Sequence, residues 1–304
     1  MRLDRFLSRR FADRSRTWFA RGIRDGQVRD AADRPLRSST RVRAGDWLRL
    51  YLPGIAPDGP PPPHPAVLHE DARVIVIDKP AGLLAHPAGT DFTWSVIGLA
   101  KERWAGETID LVHRLDRDTS GVLVLTRDAE ANRVLKAALK AGEVHKEYEA
   151  LARGSVEWDT RSLTGPIGSA GGVIRIQMAV CDDGLAARTD VTVLGRQPSM
   201  THVRCVLHTG RTHQIRVHMH HAGHSLVGDR MYGVAPEVFL RTLDHGPDAQ
   251  VVEAAGAPRH ALHAARIRFR HPDGHTVQVE APTPADMGRW WQHPVVLPHD
   301  TATP

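Results

Sequence analysis

The stretch at residues 113–126 reads HRLDRDTSGVLVLT and joins a charged segment to an apolar one. Its second half, GVLVLT, is almost entirely apolar and predicts a buried β-strand. Its first half predicts a charged loop at the end of a rigid sheet, where catalytic groups are often found. A carboxylate among several arginines keeps its ionised form, which suits a nucleophile or base. The alternative is a solvated loop with surface ion pairs.

On either side of this strand, the chain alternates strand-like and helical segments. Because the spacing lacks a regular βαβ repeat, it indicates an α+β fold around a mixed or antiparallel central sheet. Helices are predicted near 95–104, 129–140, 212–222 with Thr212 as cap, and after Thr283-Pro284. Strands are predicted near 74–77, 144–152, 173–179, 189–194, 202–208, 262–269 and 276–280.

Positive charge is concentrated at the start of the chain. Residues 1–50 hold 14 Arg, 6 Asp and no Lys or Glu, a net charge of +8, whereas the whole chain carries +5. The other 254 residues therefore carry −3. Helical spacing at 3–11, a second helix capped by Ser15 and two strand-like segments predict a small α+β module. Its basicity favours binding to a polyanion, and a solvated arginine face is the alternative.

A proline-rich segment separates this module from the rest. Residues 53–65, PGIAPDGPPPPHP, contain seven prolines in thirteen positions. Such a run is typical of a semi-rigid linker and cannot form a packed core. We therefore predict a first domain at 1–52, a linker at 53–65 and a catalytic domain at 66–304.

Composition excludes several classes of protein. No apolar run reaches the roughly 18–20 residues that span a bilayer, and the N-terminus lacks the apolar core of a secretory signal, so we expect a cytoplasmic protein. Two cysteines cannot form a disulfide framework. The densest histidine cluster is spread around one predicted helix without the spacing of a zinc site, so no metal is expected. It comprises His213, His218, His220, His221 and His224.

Two further segments carry candidate chemistry. GRTHQIRVH at 210–218 enters a predicted helix, on which Arg216 lies away from the apolar stripe. KEYEA at 146–150 lies on a predicted strand, so Lys146 and Tyr148 point to the same side of the sheet. Ordinary cross-strand packing is the alternative for a tyrosine in that position.

Together these segments resemble the ribosomal large-subunit (RluA-type) pseudouridine synthases. HRLDRDTSG is similar to the signature of that family, and the resemblance covers about residues 68–280. It implies a pseudouridine synthase fold for the second domain. The other matching blocks occur in the family order: VIDKPAGLLAHP at 76–87, KEYEA at 146–150, GRTHQIRVH at 210–218, GD-x-x-YG at 228–233 and HALHA at 260–264.

The first module resembles the S-four-like RNA-binding domain that often precedes this catalytic domain. RLDRFLSRRF, SRTWFARGIRDGQV and RAGDWLRL match its helix–helix–strand pattern. The Val-Asn-Gly hairpin usual after the second helix is replaced by VRDAAD at 28–33. The resemblance implies that arginines of this module contact RNA, namely Arg5, Arg9, Arg10, Arg14, Arg16, Arg21 and Arg24.

The family resemblance also implies the catalytic roles. Asp116 is the essential carboxylate of a reaction that breaks the N-glycosidic bond of a uridine in RNA, turns the uracil and rejoins it through carbon 5. Arg216 pairs with this aspartate, and Arg114 enters the space that the flipped nucleotide leaves. Tyr148 stacks on the base and is a candidate to remove the proton from carbon 5. Substrate contacts are implied for His113, Leu115, Thr119, Gly121, Lys146, Thr212, Gln214 and Leu262.

The resemblance therefore implies an RNA pseudouridine synthase that needs no cofactor or metal and works as a monomer. The target base must leave the RNA stack, so base flipping is expected. Asp116 either attacks the anomeric carbon or abstracts the 2′ proton to give a glycal. Large-subunit ribosomal RNA is the expected substrate, with transfer RNA as the alternative. A non-catalytic RNA-binding or ribosome-assembly factor is the alternative function, and the intact set of Asp116, Tyr148 and Arg216 argues against it.

Overall fold

The computed structural model describes residues 1–11, 15–51, 61–86 and 94–293. The chain divides into two compact units, Met1–Pro63 with His86–Leu99 and His64–Ala85 with Ala100–Pro304. Most of the segment predicted as a linker lies outside the described residues, so its conformation stays a prediction.

The first unit contains two short helices and a two-stranded antiparallel sheet. Its elements are α1 (Leu3–Arg10), α2 (Arg16–Arg24), β1 (Val28–Asp30) and β2 (Leu48–Leu50). The Ser15 hydroxyl accepts a hydrogen bond from the Trp18 amide, which confirms Ser15 as the cap of α2. Apolar residues at helical spacing form the core, which comprises Leu3, Leu7, Phe11, Phe19, Ile23, Val28 and Val42.

An aspartate holds the turn that follows β1, in the VRDAAD segment at 28–33. The Asp30 carboxylate accepts hydrogen bonds from the backbone amides of Ala32 and Arg34, both at 2.9 Å. Asp33 has a left-handed conformation with a φ of 62°, which short polar side chains tolerate better than most. The turn therefore forms without an Asn-Gly pair.

The second unit is dominated by one large sheet. The helices after α2 are α3 (Val96–Arg103), α4 (Ala129–Ala141), α5 (Gln214–His221), α6 (Pro236–His245), α7 (Ala249–Ala255) and α8 (Ala285–Gln292). The strands after β2 are β3 (Ala66–Glu70), β4 (Val74–Lys79), β5 (Asp110–Leu111), β6 (Ser120–Thr126), β7 (His145–Arg153), β8 (Thr160–Leu163), β9 (Ile167–Ser169), β10 (Met178–Val180), β11 (Thr189–Arg196), β12 (Met200–Leu207), β13 (Leu262–Arg270) and β14 (Thr276–Glu280). In the described ranges, no helix is both long and apolar enough to cross a membrane.

The large sheet has the strand order β3-β4-β6-β13-β7-β12-β11-β8, with β14 beside β13 and β5 beside β6. Strands β9 and β10 form a separate pair. Strands β6 and β13 are parallel, while their other neighbours are antiparallel. The mixed sheet confirms the predicted α+β class.

Strand β6 lies inside the sheet, and all of its residues are buried, as its apolar sequence predicted. Gly121, near its start, has a φ of 106°. A Cβ atom there would lie 2.2 Å from the backbone oxygen of Ala264 on β13. Only glycine therefore allows the two strands to approach this closely at the point where the charged loop ends.

Some predicted elements differ from the structure. The strand predicted near 173–179 forms only at Met178–Val180, because residues 174–177 close a turn. The prediction of Thr212 as the cap of α5 is wrong. His213 occupies that position with a left-handed φ of 57°, so the helix begins one residue later than a threonine cap requires. Helices α6 and α7 were not predicted.

Candidate active site

The charged loop 113–119 lies at the end of the sheet where β13 begins and where β7 carries Tyr148. The loop leads into β6, whose Ser120 lies opposite His263 because β6 and β13 run parallel. Strand β13 pairs in turn with β7, where Tyr148 lies opposite Ala264. The loop, the start of β13 and Tyr148 therefore share one end of the sheet.

Asp116 and Arg216 form the central ion pair. Arg216 Nη1 donates a hydrogen bond to Asp116 Oδ2 at 2.9 Å. The Arg216 side chain is 7% exposed, whereas that of Asp116 is 31% exposed and remains accessible. Burial raises the pKa of Asp116, but the charge and hydrogen bond of Arg216, together with the neighbouring His213 and His260, outweigh burial, so the pKa lies below its ordinary value. The carboxylate is therefore ionised at neutral pH.

A second carboxylate, Asp229, holds the guanidinium from the other side. Arg216 Nε and Nη2 donate to its two oxygens at 2.7 and 2.9 Å, a two-bond fork. Asp229 is fully buried and also accepts from the backbone amides of Met231 and Tyr232. The Tyr232 ring centre lies 5.0 Å from the guanidinium carbon. Arg216 is thus held in one orientation, with Nη1 directed at Asp116.

Two glycines make room for this anchor. Gly228 has a φ of 76°, and a Cβ atom there would lie 1.8 Å from the Arg259 carbonyl oxygen. Gly233 has the same φ, and its Cβ would lie 2.3 Å from Ser225 Oγ. Sequence reasoning noted the GD-x-x-YG block but gave Asp229 no role. The sequence signal that could have identified Asp229 is an aspartate that lies between two glycines of one block, Gly228 and Gly233.

His213 lies beside Asp116 and contributes a neutral polar side chain to the site. Its Nδ1 is 3.0 Å from the Tyr232 hydroxyl, which accepts a hydrogen bond from the Met178 amide. That hydroxyl can donate its own proton to Nδ1, which leaves the ring proton on Nε2. Nε2 lies 3.9 Å from Asp116 Oδ2. Burial lowers the pKa of His213, so the ring is uncharged at neutral pH.

Tyr148 and Leu262 are buried near the Asp116–Arg216 ion pair. Tyr148 is 7% exposed and Leu262, the first residue of β13, is 5% exposed. Burial raises the pKa of the Tyr148 phenol, and the negative charge of Asp116 raises it further. The resting phenol is therefore protonated, and its ring offers an apolar face at this end of the sheet.

Several residues predicted to contact substrate are bonded to protein groups. Both ends of the Gln214 amide are hydrogen-bonded to the surrounding chain. Thr119 Oγ1 lies 2.8 Å from His260 Nε2, and both residues are buried. His113 Nε2 accepts a hydrogen bond from the Val124 amide at 3.3 Å. These side chains position the loops that carry the ion pair, and their contacts with substrate stay predictions.

The other predicted positions differ in accessibility. Arg114 and Thr212 are exposed, so both can meet a bound RNA. Leu115 is buried at 8% exposure. Lys146 is also buried, and its Nζ donates to the Thr209 carbonyl at 3.3 Å.

No role was predicted for Lys79, which ties the loop at 113–119 to a neighbouring turn. Its Nζ donates to the backbone oxygens of Pro80, Leu83 and Arg117 at 2.8, 2.8 and 2.9 Å. Three donors facing three acceptors fit an ammonium group. Burial lowers the pKa of Lys79 to about 7, opposed by the charge of Asp118.

The arginines predicted to bind RNA in the first unit have different surroundings. Arg10 is half-buried, Arg16 Nη2 pairs with the buried Asp4 at 2.8 Å, and Arg14 lies outside the described residues. Five are exposed, namely Arg5, Arg9, Arg16, Arg21 and Arg24, and all of these except Arg16 are exposed without the Asp4 ion pair.

Fold and site together are those of an isomerase that acts on RNA. Residues 73–221 match the family model described as RNA pseudouridylate synthase. The chain is 36% identical to ribosomal large subunit pseudouridine synthase D of Pseudomonas aeruginosa, over 94% of this chain and 89% of the relative. It is 33% identical to ribosomal large subunit pseudouridine synthase C of Escherichia coli, over 96% and 92%. The chain belongs to the RNA pseudouridylate synthase family.

Solved structures agree with this assignment. Human RNA Pseudouridylate Synthase Domain Containing 1 aligns with a TM-score of 0.59 and 25% identity, over 72% of this chain and 84% of that one. Human RNA Pseudouridylate Synthase Domain Containing 4 shares the fold, with a TM-score of 0.58 over 75% and 92%. The predicted fold and the predicted enzyme class, a pseudouridine synthase, are confirmed.

Proposed function

We propose that the chain converts specific uridines of large-subunit ribosomal RNA to pseudouridine, with Asp116 as the catalytic carboxylate. The observation that carries the proposal is the array of Asp116, Arg216 and Asp229, in which a buried arginine holds an accessible carboxylate ionised. Two relatives named as ribosomal large subunit pseudouridine synthases match nearly the whole chain and support this choice of RNA.

Asp116 acts at the sugar. Its ionised oxygen either attacks the anomeric carbon or removes the 2′ proton to give a glycal, and in both routes the N1–C1′ bond breaks. The uracil then turns, and the C5–C1′ bond forms while the Asp116–C1′ bond breaks or, in the glycal route, while Asp116 returns the proton to C2′. Asp116 is thereby restored as a free carboxylate. Carbon 5 loses a proton while N1 gains one, so the isomerisation consumes no group donor, water or reductant.

The surrounding residues suit a flipped uridine. The uracil must leave the RNA stack before it can turn. The buried Tyr148 and Leu262 supply apolar surface for its faces. The exposed guanidinium of Arg114 can stack in the gap that the nucleotide leaves.

The basic first unit gathers RNA in this proposal. Exposed arginines attract phosphates whatever the base sequence, and the catalytic unit then selects the uridine. A ribosomal substrate also places the protein in the cytoplasm.

Replacement of Asp116 tests the catalytic assignment. Asp116→Asn should still bind RNA but release no tritium from uridine labelled at carbon 5. The matched control is Asp118→Asn in the same loop, whose carboxylate pairs with Arg230 and which should retain release. Tritium release by Asp116→Asn at the wild-type rate would overturn the assignment.

Mapping identifies the RNA. Total RNA from a strain that lacks the gene should lose pseudouridine at one or more positions of the large-subunit ribosomal RNA. Loss confined to transfer RNA would contradict the proposed substrate while leaving the chemistry intact.

A further inference from the structure

Three candidate metal ligands converge where the β3–β4 turn meets the β13–β14 turn. One donor atom each from Asp71, His271 and His275 lies within 4.8 Å of the other two. Within residues 1–11, 15–51, 61–86 and 94–293, no other group of three histidine, cysteine or acidic side chains has this property. The histidines of α5, which are dense in the sequence, do not belong to this group of three.

The buried His271 ring directs an unpaired nitrogen into this group. His271 is 3% exposed, and its Nδ1 accepts a hydrogen bond from the Asp273 amide at 3.1 Å. Its Nε2 is buried without a hydrogen-bond partner in the described part of the chain. Asp71 Oδ2 lies 3.4 Å from that nitrogen. Because buried polar atoms are normally paired, this nitrogen is a marker of an additional ligand.

The Asp71 carboxylate is already oriented. Its Oδ1 accepts hydrogen bonds from the amides of Arg73 and Val74, both at 2.8 Å. His69 Nε2 lies 2.8 Å from Oδ2, the oxygen that faces His271. Burial raises the pKa of Asp71, but these hydrogen bonds bring it down to about 2, so the group is ionised. Partners of this kind orient the carboxylates of metal sites.

We propose that Asp71, His271 and His275 bind a divalent metal ion, for which zinc is the best fit. Imidazole and carboxylate are ordinary zinc ligands, with water in the fourth position. Zinc bonds of about 2.0–2.1 Å hold tetrahedral ligand atoms roughly 3.3 Å apart, so the exposed His275 side chain must rotate inward. Zinc binding through Nε2 requires the ring proton to move to Nδ1. This breaks the hydrogen bond that Nδ1 accepts from the Asp273 amide, and the Asp273 carboxylate, 3.5 Å from Nδ1, can accept a hydrogen bond from the relocated proton instead.

This site is remote from the catalytic carboxylate. Strand β4 starts three residues after Asp71, and its Val74 pairs with Thr126 at the far end of β6. Asp116 precedes the opposite end of β6, at Ser120. The seven residues of β6 separate the two ends by roughly 20 Å. The ion therefore ties two turns of the sheet together and takes no part in the reaction.

Zinc binding to the full-length chain tests the proposal. After chelator treatment, affinity is measured by competition with a chromophoric chelator, and Co²⁺ absorption reports tetrahedral coordination. His275→Ala removes an exposed ligand and should weaken zinc binding roughly tenfold or more. The control His221→Ala removes an exposed histidine of α5 and should bind as the wild type does.

Stability gives a second readout. Zinc should raise the thermal midpoint of the wild type and His221→Ala, but not that of His275→Ala or the isosteric Asp71→Asn. Equal zinc affinity in wild type and His275→Ala would overturn the site, as would an equal loss in His221→Ala. Tritium release from uridine should be the same with zinc and after chelation, so failure here leaves the role of Asp116 untouched.

Discussion

Asp229→Asn tests whether this buried carboxylate fixes the orientation of Arg216 toward Asp116. Asp229 Oδ1 accepts from Arg216 Nη2 and from two backbone amides, while Oδ2 accepts from Arg216 Nε. An asparagine can keep the first three bonds on its oxygen, but its NH₂ group then faces Nε–H, donor against donor. Removing one partner of a buried ion pair costs about 3–5 kcal/mol. The free energy of unfolding should fall by about that amount.

The same change should lower turnover. Arg216 loses the fork that directs Nη1 at Asp116, and a misplacement of about 1 Å can cost about 100-fold in rate. We therefore expect kcat for tritium release to fall by about two orders of magnitude. KM should change little, because Asp229 is fully buried and does not face the RNA.

Asp190→Asn is the matched control. Asp190 also receives a two-bond fork, from Arg188 at 3.1 and 3.0 Å, but that pair is exposed to solvent. Exposed pairs contribute about 0–1 kcal/mol, so urea unfolding should show a small change. A loss below about 1 kcal/mol in Asp229→Asn, together with wild-type kcat, would refute the reasoning.

The stability difference between wild type and Asp229→Asn should also depend on pH. Burial raises the pKa of Asp229, but the charge and hydrogen bonds of Arg216, together with His260 and the Met231 amide, outweigh burial, so the folded value lies below the unfolded value of about 3.9. A group with a depressed folded pKa stabilises above its unfolded pKa and loses that contribution as pH falls through the folded one. The advantage of wild type over Asp229→Asn should therefore be constant above about pH 5 and shrink below about pH 4. A gap of constant size at all pH values would contradict the ionised assignment.

Three further changes have specific expected outcomes. Tyr148→Phe keeps the stacking ring and removes the hydroxyl, so tritium release should slow while KM stays unchanged. Gly121→Ala places a Cβ 2.2 Å from a backbone oxygen and should lower the free energy of unfolding by more than about 3 kcal/mol in urea titration. A triple variant replaces the exposed Arg5, Arg9 and Arg21 with Gln. The slope of log K for RNA binding against log salt concentration should become shallower by about 0.7–0.9 for each phosphate contact that is lost.

Each of these predictions has its own contrary result. Tritium release at the wild-type rate in Tyr148→Phe would remove the hydroxyl from the proton transfer. Gly172→Ala is the control for Gly121, because a Cβ there meets nothing within 4 Å, and equal losses in the two variants would remove the steric argument. An unchanged salt slope in the triple variant would show that the first unit does not contact phosphates.

The family and the elements with the strongest sequence pattern could be predicted from the sequence alone. GVLVLT predicts β6 because burial on both faces leaves an uninterrupted apolar run, and α4 follows from helical spacing over its 13 residues. The loop that contains Asp116 and the segment that contains Tyr148 could also be recognised from the sequence. Each lies in a short block of consecutive residues that resembles a block of the family. Such features depend on residues close together in the chain, so a one-dimensional pattern contains them.

The family resemblance implied that Arg216 pairs with Asp116, but the second partner of the arginine was visible only in the tertiary structure. Asp116 and Arg216 are 100 residues apart, and Asp229 joins them because α5 and the GD-x-x-YG turn reach the same end of the sheet. The order of β6, β13 and β7 likewise places Tyr148 at the same end of the sheet as the loop of Asp116, and the buried hydrogen bonds of Gln214 could not be predicted from its sequence block. The physical reason is that an ion pair or a buried hydrogen bond depends on distance and burial, which strand pairing between remote segments creates.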